Sequence, residues 1–246
     1  MPTAGTKLPP LIAIIGCDGS GKSTVSEELL AWTRDYGPAA AAHLGKQQGN
    51  SGRWFASLPL VGHWFKGFIG RKAATVHSSR GKNKAPDLLP AIVMHAFTLR
   101  RILRFRRMMK LRRQGLIIIA DRYPQLDFPS AFDGPDMSID ADGGRFVQWL
   151  ARREQRAFEW MTSYRPDLAI RLNVDLDTAC ARKPDHRREA LKRKIEITPQ
   201  LTLNGANIVE IDAAQPLDSV LEAVKLAMAN ILAEHGYQRT EPTANN

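Results

Sequence analysis

Eight consecutive residues near the start of the chain carry the clearest chemical signal. Residues 16–23 read Gly-Cys-Asp-Gly-Ser-Gly-Lys-Ser and fit the pattern G-x-x-x-x-G-K-[ST] without a gap. Glycines in this pattern let consecutive backbone N–H groups turn inward around phosphate oxygens. The pattern predicts a phosphate loop for a nucleoside triphosphate, with ATP and Mg²⁺ as cofactors. The predicted binding residues are Gly16, Asp18, Gly19, Ser20, Gly21, Lys22, Ser23 and Thr24.

Three side chains of the phosphate loop have distinct predicted roles. Lys22 is expected to reach the β- and γ-phosphates, and the Ser23 hydroxyl is expected to ligate Mg²⁺. Asp18 is different, because a carboxylate is unfavourable beside phosphate. We expect its side chain to point towards a hydroxyl of the phosphoryl acceptor, and the alternative is a loop-stabilising Asx turn.

A second group of chemical residues follows the most apolar stretch of the chain. Residues 116–120 read Leu-Ile-Ile-Ile-Ala and are followed by Asp121, Arg122 and Tyr123. Asp121 is predicted to lie beside Lys22, where it can hold magnesium-bound water or orient the acceptor, and Arg122 is predicted to project towards the transferring phosphate. The alternative is a local Asp–Arg ion pair, which would contribute little.

The elements that position these residues alternate between strand and helix. Uninterrupted apolar runs at 11–15 and 116–120 predict strands buried on both faces, as in a parallel sheet. Further strands are predicted over 168–174 and 207–211, and a weak one over 39–44. Helices are predicted over 23–36, 87–114, 145–163 and a final segment with an apolar stripe at Leu217, Val220, Leu221, Val224 and Ile231. In the long helix, Asp87 is the expected cap, and Ile92, Ala96, Leu99 and Leu103 form the expected buried face.

Length and composition predict one domain that binds something anionic. The chain has 246 residues, 43% hydrophobic and 24% charged, which is ordinary for a globular protein. Its 35 Lys and Arg exceed 25 Asp and Glu, giving a net charge of +10. No apolar run approaches the ~20 residues of a membrane span, and two cysteines make no disulfide framework. We expect a cytoplasmic protein with a domain at 11–235 and flexible tails at 1–10 and 236–246.

The order of these motifs resembles that of the thymidylate kinases. Residues 16–24 and the Asp-Arg-Tyr of 121–123 carry most of the resemblance. Residues 97–100 (Phe-Thr-Leu-Arg) are similar to the family's Phe-x-x-Arg on the preceding helix. Residues 165–168 introduce the fourth strand as in that family, and 211–217 are similar to its turn into the last helix. The resemblance spans most of residues 11–235.

The resemblance implies an α/β P-loop NTPase fold, a three-layer sandwich with a five-stranded parallel sheet and helices on both faces. It also implies a basic lid, at residues 176–194, over the phosphates. In that family the Phe stacks on the acceptor base and the Arg contacts it, which implies that Phe97 and Arg100 bind the acceptor together with Asp18 and Arg122. Family members are often dimers, so a homodimer is an expectation.

The resemblance also implies where the catalytic arginine lies. Some members carry it in the phosphate loop and others in the lid, and Gly19 occupies the loop position here. Arg182 and Arg187, near Lys183 and Arg188, are therefore the lid candidates. The alternative is a solvated basic helix face. The predicted catalytic residues are Lys22, Asp121, Arg122, Arg182 and Arg187, and the predicted metal ligands are Ser23 and Asp121.

The chain departs from the family pattern on the acceptor side. An Arg-Glu-Pro segment, whose Arg grips the acceptor phosphate, is replaced by Ala-His-Leu-Gly at 42–45, and Asp133 stands where a Gln is expected. The sequence predicts an ATP-dependent kinase acting on a small-molecule acceptor, most simply a nucleoside monophosphate such as dTMP. A sugar, nucleoside or lipid-linked glycan acceptor is the alternative. A third class, an ATP-dependent nucleic-acid binding protein, fits the charge but lacks any recognition motif, so no nucleic acid is expected.

Residues 45–86 form an atypical insert. Its aromatic residues, Trp54, Phe55, Trp64, Phe65 and Phe68, are accompanied by Lys66, Arg71 and Lys72. Such a cluster suits an acceptor flap, or a membrane surface contacted through residues 54–68. The prediction is an elaborated loop that packs its aromatic side chains on the core.

Overall fold

The computed structural model describes residues 7–45, 86–129, 131–140 and 142–240. Nearly all of the insert at 45–86, with its predicted flap or membrane contact, lies outside the described residues. Five strands form one sheet: β1 (Leu11–Gly16), β2 (Ala39–His43), β3 (Ile117–Asp121), β4 (Leu168–Asn173) and β5 (Ile208–Asp212). All pairs are parallel and the order is β2-β3-β1-β4-β5. The predicted parallel α/β sheet is therefore confirmed.

The described helices connect the strands. They are α1 (Lys22–Thr33), α2 (Leu88–Arg113), α3 (Arg145–Thr162), α4 (Leu176–Arg182), α5 (Arg188–Ile197) and α6 (Leu217–Glu234), with a 3₁₀ turn at Thr198–Gln200. α2 ends where Gly115 adopts a left-handed φ of 95°, as the glycine at that position predicts. Each parallel crossover returns the chain so that the next strand again ends at the same edge of the sheet.

The central strands are buried on both faces, and their alternate side chains supply two cores. β1 and β3 are buried throughout. One core packs the sheet against α1 and α6, through residues such as Val25, Leu29, Val224 and Met228. The other packs it against α2 and α3, through Phe105, Met108, Phe158 and Met161. The result is the predicted three-layer arrangement, with the carboxyl ends of the strands gathered at one edge.

The predicted buried face of α2 is wrong. Ile92, Leu99 and Leu103 are exposed by 44%, 44% and 65%. The buried side chains of α2 include Arg101 and Arg112, which periodicity assigns to solvent because they are charged. They can be buried because acidic residues neutralise them: Nη2 of Arg101 lies 2.7 Å from Asp133, and Nη2 of Arg112 lies 2.7 Å from Asp167.

The start of α2 also differs from the prediction. Asp87 occupies the N-cap position, but its side chain makes no capping hydrogen bond. The helix begins instead with its backbone, where the N–H of Ala91 donates to the carbonyl of Asp87 at 3.1 Å.

Both ends of the described chain make contacts beyond the predicted domain limits of 11 and 235. Near the start, the carbonyl of Pro9 accepts a 2.7 Å hydrogen bond from Arg112. Near the end, Arg239 pairs with Asp35 at 2.9 Å and the N–H of Thr240 donates to the carbonyl of Asp35 at 2.8 Å. Within the described residues, no helix combines the length and apolarity needed to cross a membrane.

Glu154 links three parts of the structure. It lies on α3 and is 1% exposed. Its carboxylate accepts hydrogen bonds from Thr98 of α2 at 2.6 Å and from the N–H groups of Asp136 and Met137 at 3.1 and 2.8 Å. Burial raises the pKa of Glu154, although these hydrogen bonds oppose the rise. The carboxylate thereby fixes the loop after β3 to both helices.

Replacing Glu154 by Ala should lower the free energy of unfolding by about 2–3 kcal/mol, because the N–H of Met137, which is buried, the partly buried N–H of Asp136 and the hydroxyl of Thr98 lose this acceptor. Urea unfolding followed by circular dichroism measures the change. Glu159→Ala is the control: it lies on the same helix, is exposed, and should cost about 0.5 kcal/mol or less. Equal losses for the two variants would contradict this role of Glu154.

Candidate phosphate-binding site

The phosphate loop connects the central strand β1 to the N-terminus of α1. Gly21, at the N-cap position, has a φ of 84° that favours glycine, and α1 has no side-chain cap and no acidic residue in its first turn. The first N–H groups of a helix have no partner within the helix, and they carry its positive dipole end. This loop therefore presents uncapped main-chain donors where an anion can bind.

Lys22 is buried inside the loop that it helps to form. It is 7% exposed, and its Nζ donates a 2.5 Å hydrogen bond to the carbonyl of Cys17. Burial lowers the pKa of Lys22, and the charge of Arg122 lowers it further, while the carboxylates of Asp18 and Asp121 oppose the change. An anion that binds beside such a cation stabilises its charged form, because the cation is desolvated and lies near another cation.

Three basic side chains surround the carboxylate of Asp18. Its carboxylate lies 3.0 Å from Nη2 of Arg122, 3.7 Å from Nε2 of His186, and in direct contact with Nζ of Lys194. Burial alone would raise the pKa of Asp18, but Lys194, then Arg122 and Lys22, outweigh burial and lower the pKa to about 2. The ionised carboxylate therefore collects the positive charges around the phosphate loop.

Arg122 reaches Asp18 because of two local features of the backbone. Arg122 directly follows β3 with a left-handed φ of 63°, which is uncommon and costly for a non-glycine residue and is typical of functional sites. Its side chain runs over Gly45, where an added Cβ would overlap Cδ of Arg122 and lie 3.2 Å from its Cγ. The charges of Asp133, Asp18 and Asp121 outweigh burial and raise the pKa of Arg122.

Asp121 ends β3 next to His43, which ends β2. The parallel register pairs these two residues, and Nδ1 of His43 lies 2.8 Å from Oδ2 of Asp121. Among the described residues, Oδ1 of Asp121 is buried and has no hydrogen-bond partner. Sequence reasoning missed the role of His43. The available signal was its position at the end of a strand whose neighbour ends in Asp121.

The lid segment lies against the phosphate loop through a small apolar cluster. Ala179 of α4 and Leu191 of α5 are fully buried in contact with the cluster of Cys17 and Val174. Gly19, at φ 89°, faces α4 so closely that a Cβ would lie 3.0 Å from the carbonyl oxygen of Ala179. A larger residue at position 19 would push α4 away from the loop.

The predicted lid arginines differ in where their charged groups lie. Nη1 of Arg182 donates to the carbonyls of Gly19 at 3.3 Å and Ala213 at 2.8 Å, so it joins the phosphate loop to the end of β5. Arg187 is an exposed residue at the N-cap of α5. Arg188 pairs with Asp177 of α4 at 2.8 Å, within the lid itself.

The predicted acceptor residues lie on α2. Phe97 and Arg100 are half-buried. Arg104, one turn further on, donates a 2.9 Å hydrogen bond to the carbonyl of Gly45 and so reaches the residue under Arg122. Burial lowers the pKa of Arg104, and the charges of Arg100 and Arg101 lower it further. Arg104 of α2 thus lies close to the residues that follow β2.

Three other predicted residues line the loop itself. Ser20 is buried and its hydroxyl has no hydrogen-bond partner within the described residues, whereas Ser23 and Thr24 are exposed at the start of α1. Gly16, Lys22, Arg122 and Asp133 line one small cavity beside the loop. The structure therefore brings together Asp18, Lys22, Asp121 and Arg122, and it adds His43 and Lys194.

The sheet order, the loop after the central strand and its glycine pattern are those of the P-loop NTPase fold. Comparison with known proteins finds two related sequences in Escherichia coli K12. The chain is 42% identical to the uncharacterized ATP-binding protein YghS over 214 residues, which cover 87% of this chain and 90% of YghS. It is 36% identical to the uncharacterized ATP-binding protein YghR over 223 residues, 90% of this chain and 88% of YghR. The chain belongs to the family of these proteins. No protein-family model matches it.

Gly45→Ala should displace Arg122 from Asp18, because the new Cβ occupies the space of the arginine side chain. We expect at least a fivefold weaker affinity for ATP by isothermal titration calorimetry, with an unchanged unfolding midpoint. Gly144→Ala is the matched control, since a Cβ there meets no atom within 4 Å. An unchanged affinity in Gly45→Ala would contradict the close approach of Arg122.

Proposed function

We propose that the protein is an ATP-dependent kinase that transfers the γ-phosphoryl group to a small phosphate-bearing acceptor, most simply a nucleoside monophosphate. The observation that carries the proposal is the convergence of Lys22, Arg122 and Lys194 on the uncapped phosphate loop. The names of YghS and YghR, both ATP-binding proteins, support ATP as the donor. The resemblance of the motif order to thymidylate kinases supports the transfer.

The reaction requires positioning and charge neutralisation rather than a covalent intermediate. An oxygen of the acceptor phosphate forms a bond to the γ-phosphorus. The bond from that phosphorus to the β,γ-bridging oxygen breaks, and its electron pair stays on ADP. A monophosphate dianion has no proton to lose in this step. Lys22 and Arg122 would stabilise the charge on the equatorial oxygens, and Asp18 would hold Arg122 in place.

The residues present fit a magnesium ion. Oδ1 of Asp121 is buried and has no partner in the part of the chain that the structure describes, so it is an acceptor suited to magnesium-bound water. The exposed residue Ser23 lies at the start of α1. Ser23 and Asp121 would hold the ion, which would supply neutralisation of the β- and γ-phosphate charge.

The arginines of α2 support a phosphate-bearing acceptor. The chain lacks the Arg that grips the acceptor phosphate after the second strand in thymidylate kinases. In its place, Arg104 of α2 and Arg122, which follows β3, both approach Gly45. Guanidinium groups are well suited to phosphate oxygens. These two residues would therefore take over the contact with the acceptor phosphate.

One observation favours the alternative acceptor, a sugar, nucleoside or lipid-linked glycan. His43 and Asp133 both lie on the acceptor side of the site, at positions where thymidylate kinases carry other residues. Asp133 also lines the cavity beside Arg122. An imidazole and a carboxylate are hydrogen-bond partners for hydroxyl groups. They would favour an acceptor that presents hydroxyl groups to this side of the site.

Lys22→Ala should abolish transfer, lowering kcat/KM by about 10³-fold or more, because the γ-phosphate loses its buried cation. Thermal unfolding is expected to stay cooperative. Lys225→Ala serves as the control and should retain activity. Lys225 is a partly exposed residue of α6, more than 200 positions after the phosphate loop in the sequence. Full turnover in Lys22→Ala would refute the proposed chemistry.

Steady-state rates with ATP and a panel of acceptors test the proposed substrate class. The panel contains nucleoside monophosphates, nucleosides and unphosphorylated sugars, and ADP formation is measured with each. We expect the highest kcat/KM among the monophosphates, and Arg104→Ala should raise their KM about tenfold or more. Turnover confined to unphosphorylated acceptors would establish the alternative instead.

A further inference from the structure

Seven lysine and arginine residues lie between positions 176 and 197, a stretch that the structure describes completely. They are Arg182, Lys183, Arg187, Arg188, Lys192, Arg193 and Lys194. Lys194 is the one whose charged group contacts a side chain of the phosphate loop, through Oδ2 of Asp18. The lid basic residues are therefore not equivalent, and the difference follows from the packing of α5.

The position of Lys194 is fixed by the apolar face of its helix. Leu191 is fully buried against the cluster of Cys17, and Ile195 packs on the same cluster. Residues three positions apart on a helix share a face, so Lys194 lies on the side of α5 that Leu191 presses against the loop. Lys192 and Arg193 are exposed. The packing of α5 therefore places the ammonium group of Lys194 beside the phosphate loop.

The partner of Lys194 is shared. Asp18 faces Lys194 and Arg122 directly, and the charge of Lys22 also acts on it. Lys194 is about one-third exposed, so its side chain has room to move. A triphosphate tail carries more negative charge than one shared carboxylate, and its oxygens would enter the loop beside Asp18. Lys194 can thus exchange Asp18 for phosphate by turning its flexible side chain.

We propose that Lys194 is the lid cation that contacts the γ-phosphoryl group of a bound nucleoside triphosphate. Asp18 holds it beside the loop when no nucleotide is bound. The inference rests on the proposed function and names the residue that closes its donor site. It differs from the assignment by resemblance, which selects Arg182 and Arg187. Arg182 is engaged with the carbonyls of Gly19 and Ala213 and acts as a positioning residue.

The experiment compares ADP with a non-hydrolysable ATP analogue by isothermal titration calorimetry in the presence of magnesium. The two ligands differ at the γ-phosphoryl group, so their affinity ratio reports contacts to that group. Lys194→Ala should reduce the ratio at least tenfold while leaving ADP affinity within about twofold. Lys194→Arg should recover most of the ratio because it keeps the charge. Lys192→Ala is the matched control on α5 and should match wild type.

An unchanged ratio of ATP-analogue to ADP affinity in Lys194→Ala would overturn the assignment of Lys194. A reduced ratio in Arg187→Ala, with Lys194→Ala unchanged, would assign the contact to Arg187 instead. A failure of the proposed donor, ATP, gives another result: wild type itself would bind neither ligand. A pH- and salt-matched thermal unfolding curve shows whether Lys194→Ala is folded. Where an active acceptor is at hand, the same variant should lower kcat more than it raises the KM for ATP.

Discussion

The structure depends on the balance of charge around the carboxylate of Asp18. Lys22, Arg122 and Lys194 come from a loop, a strand end and a lid helix, and their mutual repulsion opposes their meeting. Asp18 and Asp121 supply the compensating negative charge. Asp133 also acts on Arg122 and is itself paired with Arg101, so four cations face three carboxylates and the site keeps a surplus of positive charge. A phosphate ligand would complete the neutralisation, which is why a carboxylate inside an anion-binding loop is not a contradiction.

The parts of this arrangement that lie close together in sequence could be predicted. The phosphate loop is one continuous segment between an apolar run and a helix, and β3 with Asp121 and Arg122 is another. Local pattern determines both, since buried parallel strands are continuously apolar and the loop chemistry requires glycine at fixed spacing. His43 and Lys194 could not be found in this way. Their positions depend on strand register and on how α5 packs against Cys17.

The failed prediction for α2 has a related cause. Apolar periodicity selected Ile92, Leu99 and Leu103, whereas the inner face of the helix carries Arg101 and Arg112 beside its apolar residues. Asp133 and Asp167, which lie in distant segments, neutralise these arginines and so permit their burial. A pattern read along the sequence of α2 alone does not include them. Arg101 holds the loop after β3 through Asp133, so a residue that looks solvent-exposed in sequence supports the wall of the site.

The most direct measurement of the central claim is a crystal structure grown with a non-hydrolysable ATP analogue and magnesium. The account predicts a triphosphate enclosed by the main chain of residues 16–23, with Nζ of Lys22 within hydrogen-bond distance of its β- and γ-phosphate oxygens. A nucleotide bound elsewhere, with the phosphate loop vacant and Asp18 still paired with Arg122 and Lys194, would contradict it.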